Sequence, residues 1–315
     1  MYINFKDVMT KKKVSRLKYL IQRFLFSLKN DNYKQFISKI KKVVFLDNKI
    51  DLDKFKIDPN LSLDDICLTF GTDKGYLDSK KKYQYLLKSG DKTFKNYFEW
   101  ISRKNIYEYE YPLGANYTPY YQKNFEHIRF KNLKILEIGV ANGHSTASFY
   151  FYFPNSYLFG VDIKNKYKLF YKSKRINYTQ LDITNNKKVS SYLKKNNNFD
   201  IIIDDSLHNY FGHVNNLQNF FPALKTGGTY ILEDFNPLDD YVKKLRKFNN
   251  DHSKKTWEYG LNTMEDVFKN IIEKKFFVDN YLNKKTQEYL MKNVKDIIYE
   301  RTDHPSGSIA FIYKK

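Results

Sequence analysis

Two pairs of adjacent acids close apolar runs in this chain: Asp204-Asp205 after Phe199–Ile203, and Glu233-Asp234 after Thr229–Leu232. His208 follows three residues after Asp205, in Asp204-Asp205-Ser206-Leu207-His208. Carboxylates crowded at one rim repel one another and raise each other's pKa. A divalent cation with oxygen ligands removes that repulsion, and Mg²⁺ binds through a few carboxylates plus waters and substrate. An ion beside a hydroxyl lowers its pKa, and a neighbouring imidazole can then take the proton. These residue types point to a hydroxyl activated as a nucleophile. Asp205 and Asp234 are the expected metal ligands, with Glu233 a third ligand or a group behind them. His208 is the expected base, and Asp205 is counted with it as catalytic. Asp204 is expected to orient the loop or to touch a cofactor. A structural alternative is that Asp204 and Asp205 cap a helix starting near Asn209. For one Asp that alternative would win; two pairs beside His208 favour the chemistry. His144, His213 and His304 are read as surface or core residues.

A second constellation lies upstream, in Leu136-Glu137-Ile138-Gly139-Val140-Ala141-Asn142-Gly143. Gly139 lets the chain turn tightly off a strand, and Gly143 permits close approach of a ligand to the backbone. The G-x-G-x-x-G spacing of dinucleotide folds is absent, because position 141 is Ala. Glu137 is placed to accept the amino group of a methionine moiety, Asp162 both hydroxyls of a ribose, and Asp182 an adenine amino group. Each acid alone reads as a solvated loop carboxylate. Three of them at the carboxyl ends of consecutive strands, where open α/β sheets bind ligands, signal a nucleoside cofactor. S-adenosylmethionine (SAM) fits the glycine pattern best.

These residues must be positioned by a sheet. Short apolar runs alternate with amphipathic stretches from about residue 115, the pattern of a parallel sheet with helical crossovers. The runs are Lys134–Ile138, Tyr157–Ile163, Ile176–Leu181, Phe199–Asp205 and Thr229–Asp234, with helices expected near 144–153, 186–195 and 210–224. Asp296–Glu300 and Ser308–Tyr313 flank a turn at 303–307 and read as a closing antiparallel hairpin. The expected fold is therefore α/β: a Rossmann-like seven-stranded sheet with flanking helices, a closing hairpin and a mainly helical N-terminal extension. Residues 1–66 form the extension, 67–114 a turn and helical insertion, and 115–315 the catalytic domain. Within the extension, helices are expected at 11–29 and about 33–46, and 47–66 reads as a polar connection.

Composition narrows the class further. The net charge is +20, but the lysines are spread along the whole chain, and no RNA-binding signature accompanies them. Nucleic acid is therefore not the expected partner. The single cysteine, Cys67, excludes an intrachain disulfide framework and a multi-cysteine zinc site. No apolar run is long enough to span a membrane and no signal peptide is recognisable, so the protein is read as cytoplasmic. The basic amphipathic helix 11–29 packs on its own or a partner subunit, or lies against an anionic membrane surface; the first is favoured.

The chain resembles the class I SAM-dependent O-methyltransferases that act on sugars, the macrocin and mycinamicin macrolide-sugar enzymes and their relatives in bacterial polysaccharide clusters. The resemblance rests on Phe70-Gly71-Thr72-Asp73-Lys74-Gly75, on Tyr117 through Asp234, and more loosely on the final hairpin. It implies Mg²⁺ held around Asp205, Glu233 and Asp234, with His208 as base. It further implies that Thr72, Asp73 and Lys74 help to cover the cofactor, and that the acceptor is a sugar, nucleotide-sugar or glycoside. Ser206 and Leu207 stand where the family carries Gly and Ser, and His144 where a second Gly is usual; the Asp205-to-His208 spacing is intact. Residues 76–113 read as an insertion. RNA methylation and a non-catalytic scaffold are the competing readings. The first lacks its usual Asn/Asp-Pro-Pro-aromatic motif, and the second has no need of a repelling acidic cluster.

Overall fold

The structure, a computed structural model, describes residues 49–55, 57–70, 72, 74–75, 115–164, 169–235, 262–302 and 307–315. The expected helices at 11–29 and 33–46, the insertion at 76–113, Asp73, His304 and the hairpin turn at 303–306 lie outside them. The chain divides into two compact units, 1–50 and 51–315; the sheet and its helices belong to the second.

Seven strands form one sheet: β1 (Lys134–Ile138), β2 (Tyr157–Asp162), β3 (Ile176–Gln180), β4 (Phe199–Asp204), β5 (Leu224–Glu233), β6 (Val294–Arg301) and β7 (Ser308–Lys314). Their order across the sheet is β3-β2-β1-β4-β5-β7-β6. The first five run parallel, while β7 inserts antiparallel between β5 and β6. This is the class I methyltransferase layout. Ile201, Ile202 and Ile203 are all buried, as a strand covered on both faces requires; hence β4 reads as a continuous apolar run rather than an alternation. β5 begins at Leu224, five residues before the apolar run at Thr229. The register shifts against β4 between Phe199 and Ile201, where Gly227 adopts a φ of +75°.

Helices cover both faces: α1 (Leu63–Phe70), α2 (Thr118–Phe125), α3 (His144–Tyr152), α4 (Asn186–Lys195), α5 (Tyr210–Phe220), α6 (Met264–Ile272) and α7 (Lys284–Asn293). Residues 63–66, expected as connection, begin α1. Ser62 donates to Asp65 Oδ2 (2.6 Å) and accepts from the Asp65 amide (3.1 Å), an N-terminal cap that outweighs the polar look of the segment. Pro119 sits in the first turn of α2, where a missing N–H costs nothing. Asparagine caps begin α4, α5 and α7, and a Thr263/Asp266 capping box begins α6. α2 is fastened by aromatic packing. Tyr121 lies 5.2 Å from Phe149 between ring centroids, and Phe125 lies 5.9 Å from Phe311; such pairs contribute about 0.5–1.5 kcal/mol each beyond area burial. Among the described residues no helix is long and apolar enough to cross a membrane.

His213 on α5 is fully buried, and neither ring nitrogen has a hydrogen-bond partner. Burial pushes its imidazole down to about 3. The folded state thus keeps it neutral while the unfolded chain protonates it below about 6.5, so stability falls as pH drops from there toward 3. His213→Met should remove about 3 kcal/mol of the stability difference between pH 7 and pH 4 in denaturant melts. An unchanged pH slope would contradict this.

Candidate active site

The strand ends meet on one edge because their registers are aligned: Ile138 pairs with Asp204, and Asp204 with Leu232. Both acidic pairs therefore emerge beside the glycine-rich turn after β1. That turn is tight. Gly139 has a φ of +93° and Gly143 one of +89°. The Asp205 amide donates to the Ile138 carbonyl (2.9 Å), and the Gly139 amide to the Val161 carbonyl (2.9 Å). A Cβ on Gly139 would stand 1.9 Å from the Asp205 carbonyl oxygen. The turn and the loop carrying Asp205 are thus in direct backbone contact.

The four acids at this edge behave differently. Asp204 turns inward: it is buried and accepts from Ser206 Oγ (2.6 Å), Asn216 Nδ2 (3.0 Å) and Tyr230 OH (2.7 Å). Burial pushes its carboxyl up to about 6. It braces the loop and is not brought to the open side of the cluster. Helix α5 is capped instead by Asn209, whose side chain accepts from the Gly212 amide at 2.7 Å; capping therefore does not account for Asp204 or Asp205.

Asp205 divides its two oxygens. Oδ2 accepts from Lys74 Nζ at 2.7 Å, and Oδ1 faces His208 Nε2 at 3.8 Å. Burial works against this carboxylate, but Lys74 outweighs it and holds the pKa below the usual range. Asp234 divides likewise: Oδ1 accepts from Tyr117 OH at 2.5 Å, and Oδ2 faces His208 Nδ1 at 3.9 Å. Its pKa is raised, chiefly by burial. Its φ of +56° is uncommon for a non-glycine residue. The backbone is held there by its amide, which donates a hydrogen bond to the Ser308 carbonyl (2.8 Å), while Tyr117 OH also accepts from the Ser308 amide (3.0 Å). Glu233 is different again. It is buried, with Oε2 on Lys74 Nζ and Oε1 on Tyr121 OH at 2.6 Å.

Asp205, His208 and Asp234 each offer a ligand atom within 4.8 Å of the others, a group able to hold a metal ion. Glu233, the expected third acid, is not in that group; Lys74 and Tyr121 occupy it. His208 is the exposed member, its side chain 48% accessible. Two contributors carry no motif signal of their own: Tyr117 and Tyr121, one helical turn apart, each hold one acid of the Glu233-Asp234 pair. Lys74 has its ammonium inside the cluster, between Asp205 and Glu233. The aromatic spacing at 117 and 121 was visible in the sequence, but the partners were not.

Two of the cofactor candidates, Glu137 and Asp162, flank the same turn. Glu137 is buried, and its two oxygens accept from the Ser145 and Thr146 hydroxyls of α3. Asp162 accepts from the Ala141 amide (2.7 Å) and the Lys164 amide (2.7 Å), clamping the turn at Ala141, whose φ is +51°. Asp182 lies just beyond β3, where Oδ1 accepts from Thr184 N (3.0 Å) and Oγ1 (2.7 Å); these hydrogen bonds lower its pKa. Each of these carboxylates retains at least one lone pair for a ligand. A Cβ on Gly143 would meet only side-chain carbons of Leu169 and Tyr171, at 3.4 and 3.5 Å, so its φ rather than crowding demands glycine. Thr72 is buried behind Lys74, whose amide reaches the Thr72 hydroxyl at 3.5 Å.

No family model matches the chain. It is similar to the 8-demethyl-8-(2-methoxy-alpha-L-rhamnosyl)-tetracenomycin-C 3'-O-methyltransferase of Streptomyces olivaceus, 31% identical over 126 residues, 38% of this chain and 32% of that protein. It is also similar to the mycinamicin VI 2''-O-methyltransferase of Micromonospora griseorubida, 30% identical over 126 residues, 38% of this chain and 31% of that protein. The matched stretch is thus less than a third of either relative. A solved structure of the MycE methyltransferase of the mycinamycin pathway, in complex with Mg, SAH and mycinamycin VI, aligns with a TM-score of 0.47 and 21% identity over 63% of this chain and 50% of that one.

Proposed function

We propose that this protein transfers the methyl group of SAM to a hydroxyl of a sugar or glycoside, with Mg²⁺ at the acidic cluster. One observation carries the reading: Asp205 and Asp234 each leave one oxygen free beside His208, on a loop in backbone contact with the glycine turn. Similarity to O-methyltransferases, one of them named for a rhamnosyl tetracenomycin, supports the donor and a sugar acceptor. A glycan precursor, such as one for a capsule or lipooligosaccharide, is the finer form of the proposal.

Asp205 Oδ1 and Asp234 Oδ2 are the oxygens that would hold the ion. When bound, Mg²⁺ supplies Lewis acidity that lowers the pKa of a nearby hydroxyl. Glu137, Asp162 and Asp182, with the Gly139–Gly143 turn, are the groups that would hold SAM, and Thr72 keeps its place behind Lys74. His208 receives the hydroxyl proton as the acceptor oxygen takes the methyl group, leaving S-adenosylhomocysteine. Tyr117 and Tyr121 hold the acid pair while this happens. The direct test uses methyl-labelled SAM with rhamnosides and nucleotide-sugars. Label on a sugar oxygen, abolished by EDTA and restored by Mg²⁺, is expected. Chelator-insensitive labelling of RNA would overturn the proposal.

A further inference from the structure

The end of α6 and the loop that joins it to α7 present large apolar side chains to solvent. Ile272, Phe276 and Val278 are 44%, 52% and 77% exposed. This display is built rather than frayed. The buried Gln287 side chain accepts from the Phe277 amide (3.1 Å) and donates to the Phe277 carbonyl (2.9 Å), while the Phe277 ring packs against the core. With Phe277 clamped inward, its neighbours on either side are left facing out. Lysines surround them: Lys274, Lys275, Lys284 and Lys285 are all exposed, and the Lys284 ammonium lies 4.9 Å from the centre of the Phe276 ring. Of the acids here, Glu273 is paired with Lys275 (2.7 Å). Asp279 turns inward, where it accepts from Asn262 Nδ2 (2.9 Å) and from the Tyr210 hydroxyl. The Phe211 and Tyr281 rings lie 5.2 Å apart between centroids. The loop is thereby fastened to the start of α5, two and three residues beyond His208.

We propose that this loop is a docking surface for an anionic lipid bilayer, with Phe276 and Val278 entering the interface and the lysines meeting lipid phosphates. Exposed apolar side chains with basic neighbours are the combination that partitions into the headgroup region of such a bilayer. Lysine stems lie along apolar surface while their ammonium groups reach outward, and Lys284 already lies so over Phe276. Charge decides between occupants. The chain carries a net charge of +20, so two copies meeting at this loop would press like-charged lysines together as water is removed. An anionic bilayer attracts the same lysines. A consequence follows that rests on the sugar-methylating reading above: the acceptor is a glycoside carried by a lipid, presented near the start of α5.

A fluorophore at Val278→Cys tests the docking surface in the full-length protein, without SAM or acceptor. The only other cysteine, Cys67, is fully buried, so a bimane label is confined to position 278. With vesicles of phosphatidylcholine and phosphatidylglycerol, its emission should shift to the blue and be quenched by brominated acyl chains. Vesicles of phosphatidylcholine alone should bind at least about tenfold more weakly. In co-sedimentation, Phe276→Ser/Val278→Ser should lower partition onto the mixed vesicles at least about tenfold, because apolar insertion is lost. Lys274→Gln/Lys285→Gln keeps the apolar residues and should lower it at least about fivefold. Binding with the label left in water would place the contact on another surface and overturn the proposal. So would equal binding to both kinds of vesicle, binding to neither, or undiminished partition of Phe276→Ser/Val278→Ser. Self-association of the unmodified chain that this variant abolishes in sedimentation velocity would make the loop an interface between copies, and would also overturn it. If the label enters the bilayer but no sugar is methylated, the docking surface stands and the reading of the acceptor fails alone.

Discussion

Replacing His208 by Ala is expected to lower turnover by about 10²–10⁴-fold, the usual contribution of a positioned general base. The fold should survive, because the side chain is 48% accessible and no buried group depends on it. Its ring nitrogens lie 3.8 and 3.9 Å from Asp205 and Asp234. These distances are too long for hydrogen bonds, so neither acid satisfies the ring. The imidazole is thus available for an acceptor proton. SAM affinity, measured by calorimetry, should be nearly unchanged, since the groups around the glycine turn are untouched. Mn²⁺ affinity separates two roles that the geometry brings close together. If it falls only slightly, His208 acts as the base; if it disappears with turnover, His208 is a metal ligand and the assignment as base is wrong. A variant with normal turnover would remove His208 from the chemistry altogether.

Gly139→Ala should be more damaging than any substitution at the acids. The added Cβ would meet the Asp205 carbonyl oxygen at 1.9 Å, its carbon at 2.6 Å and Ser206 Cα at 2.8 Å. All three are backbone or Cα atoms, so no side-chain rotation relieves the clash. Neither segment can step aside cheaply, because the Asp205 and Gly139 amides are both bonded to neighbouring strand ends. The left-handed φ adds about 1–2 kcal/mol of its own. A loss of at least about 4 kcal/mol in denaturant unfolding is expected, in the range reserved for severe strain or overpacking. SAM binding and turnover should vanish together. Gly143→Ala serves as the comparison: it meets only side-chain carbons at 3.4 Å or more, so the φ term alone should remain. Equal effects at the two glycines would show that close backbone approach is not what Gly139 provides.

Much of this arrangement could be read from the residues alone, and the reasons are physical. The first four parallel strands were visible to within a residue at each end; burial on both faces makes the central β1 and β4 nearly continuous apolar runs, whereas the edge strand β3, Ile176–Gln180, has no buried residue. Asp205 and His208 were visible because only two residues of chain separate them. Helices α6 and α7 were not anticipated; α7 lies in a polar, lysine-rich stretch, but α6 was legible, since Met264, Val267, Phe268 and Ile271 recur at helical spacing behind a Thr263/Asp266 capping box. The fate of Glu233 was hidden for another reason: its partner Lys74 is 159 residues away, and nothing local distinguishes an acid that meets an ion from one that meets an ammonium. Asp204 was ambiguous for the same reason, since Asn216 and Tyr230, which hold it inward, lie on other elements.

The proposed reaction requires an ion and the donor methyl group to occupy one small region at the edge of the sheet. The most direct measurement is the relaxation of ¹³C-methyl-labelled SAM bound to the protein, with Mn²⁺ in place of Mg²⁺. The methyl resonance should broaden strongly on addition of Mn²⁺ to the unmodified chain, and far less in Asp205→Asn. Bound SAM whose methyl signal is insensitive to Mn²⁺, with the metal independently shown to be bound, would contradict the account.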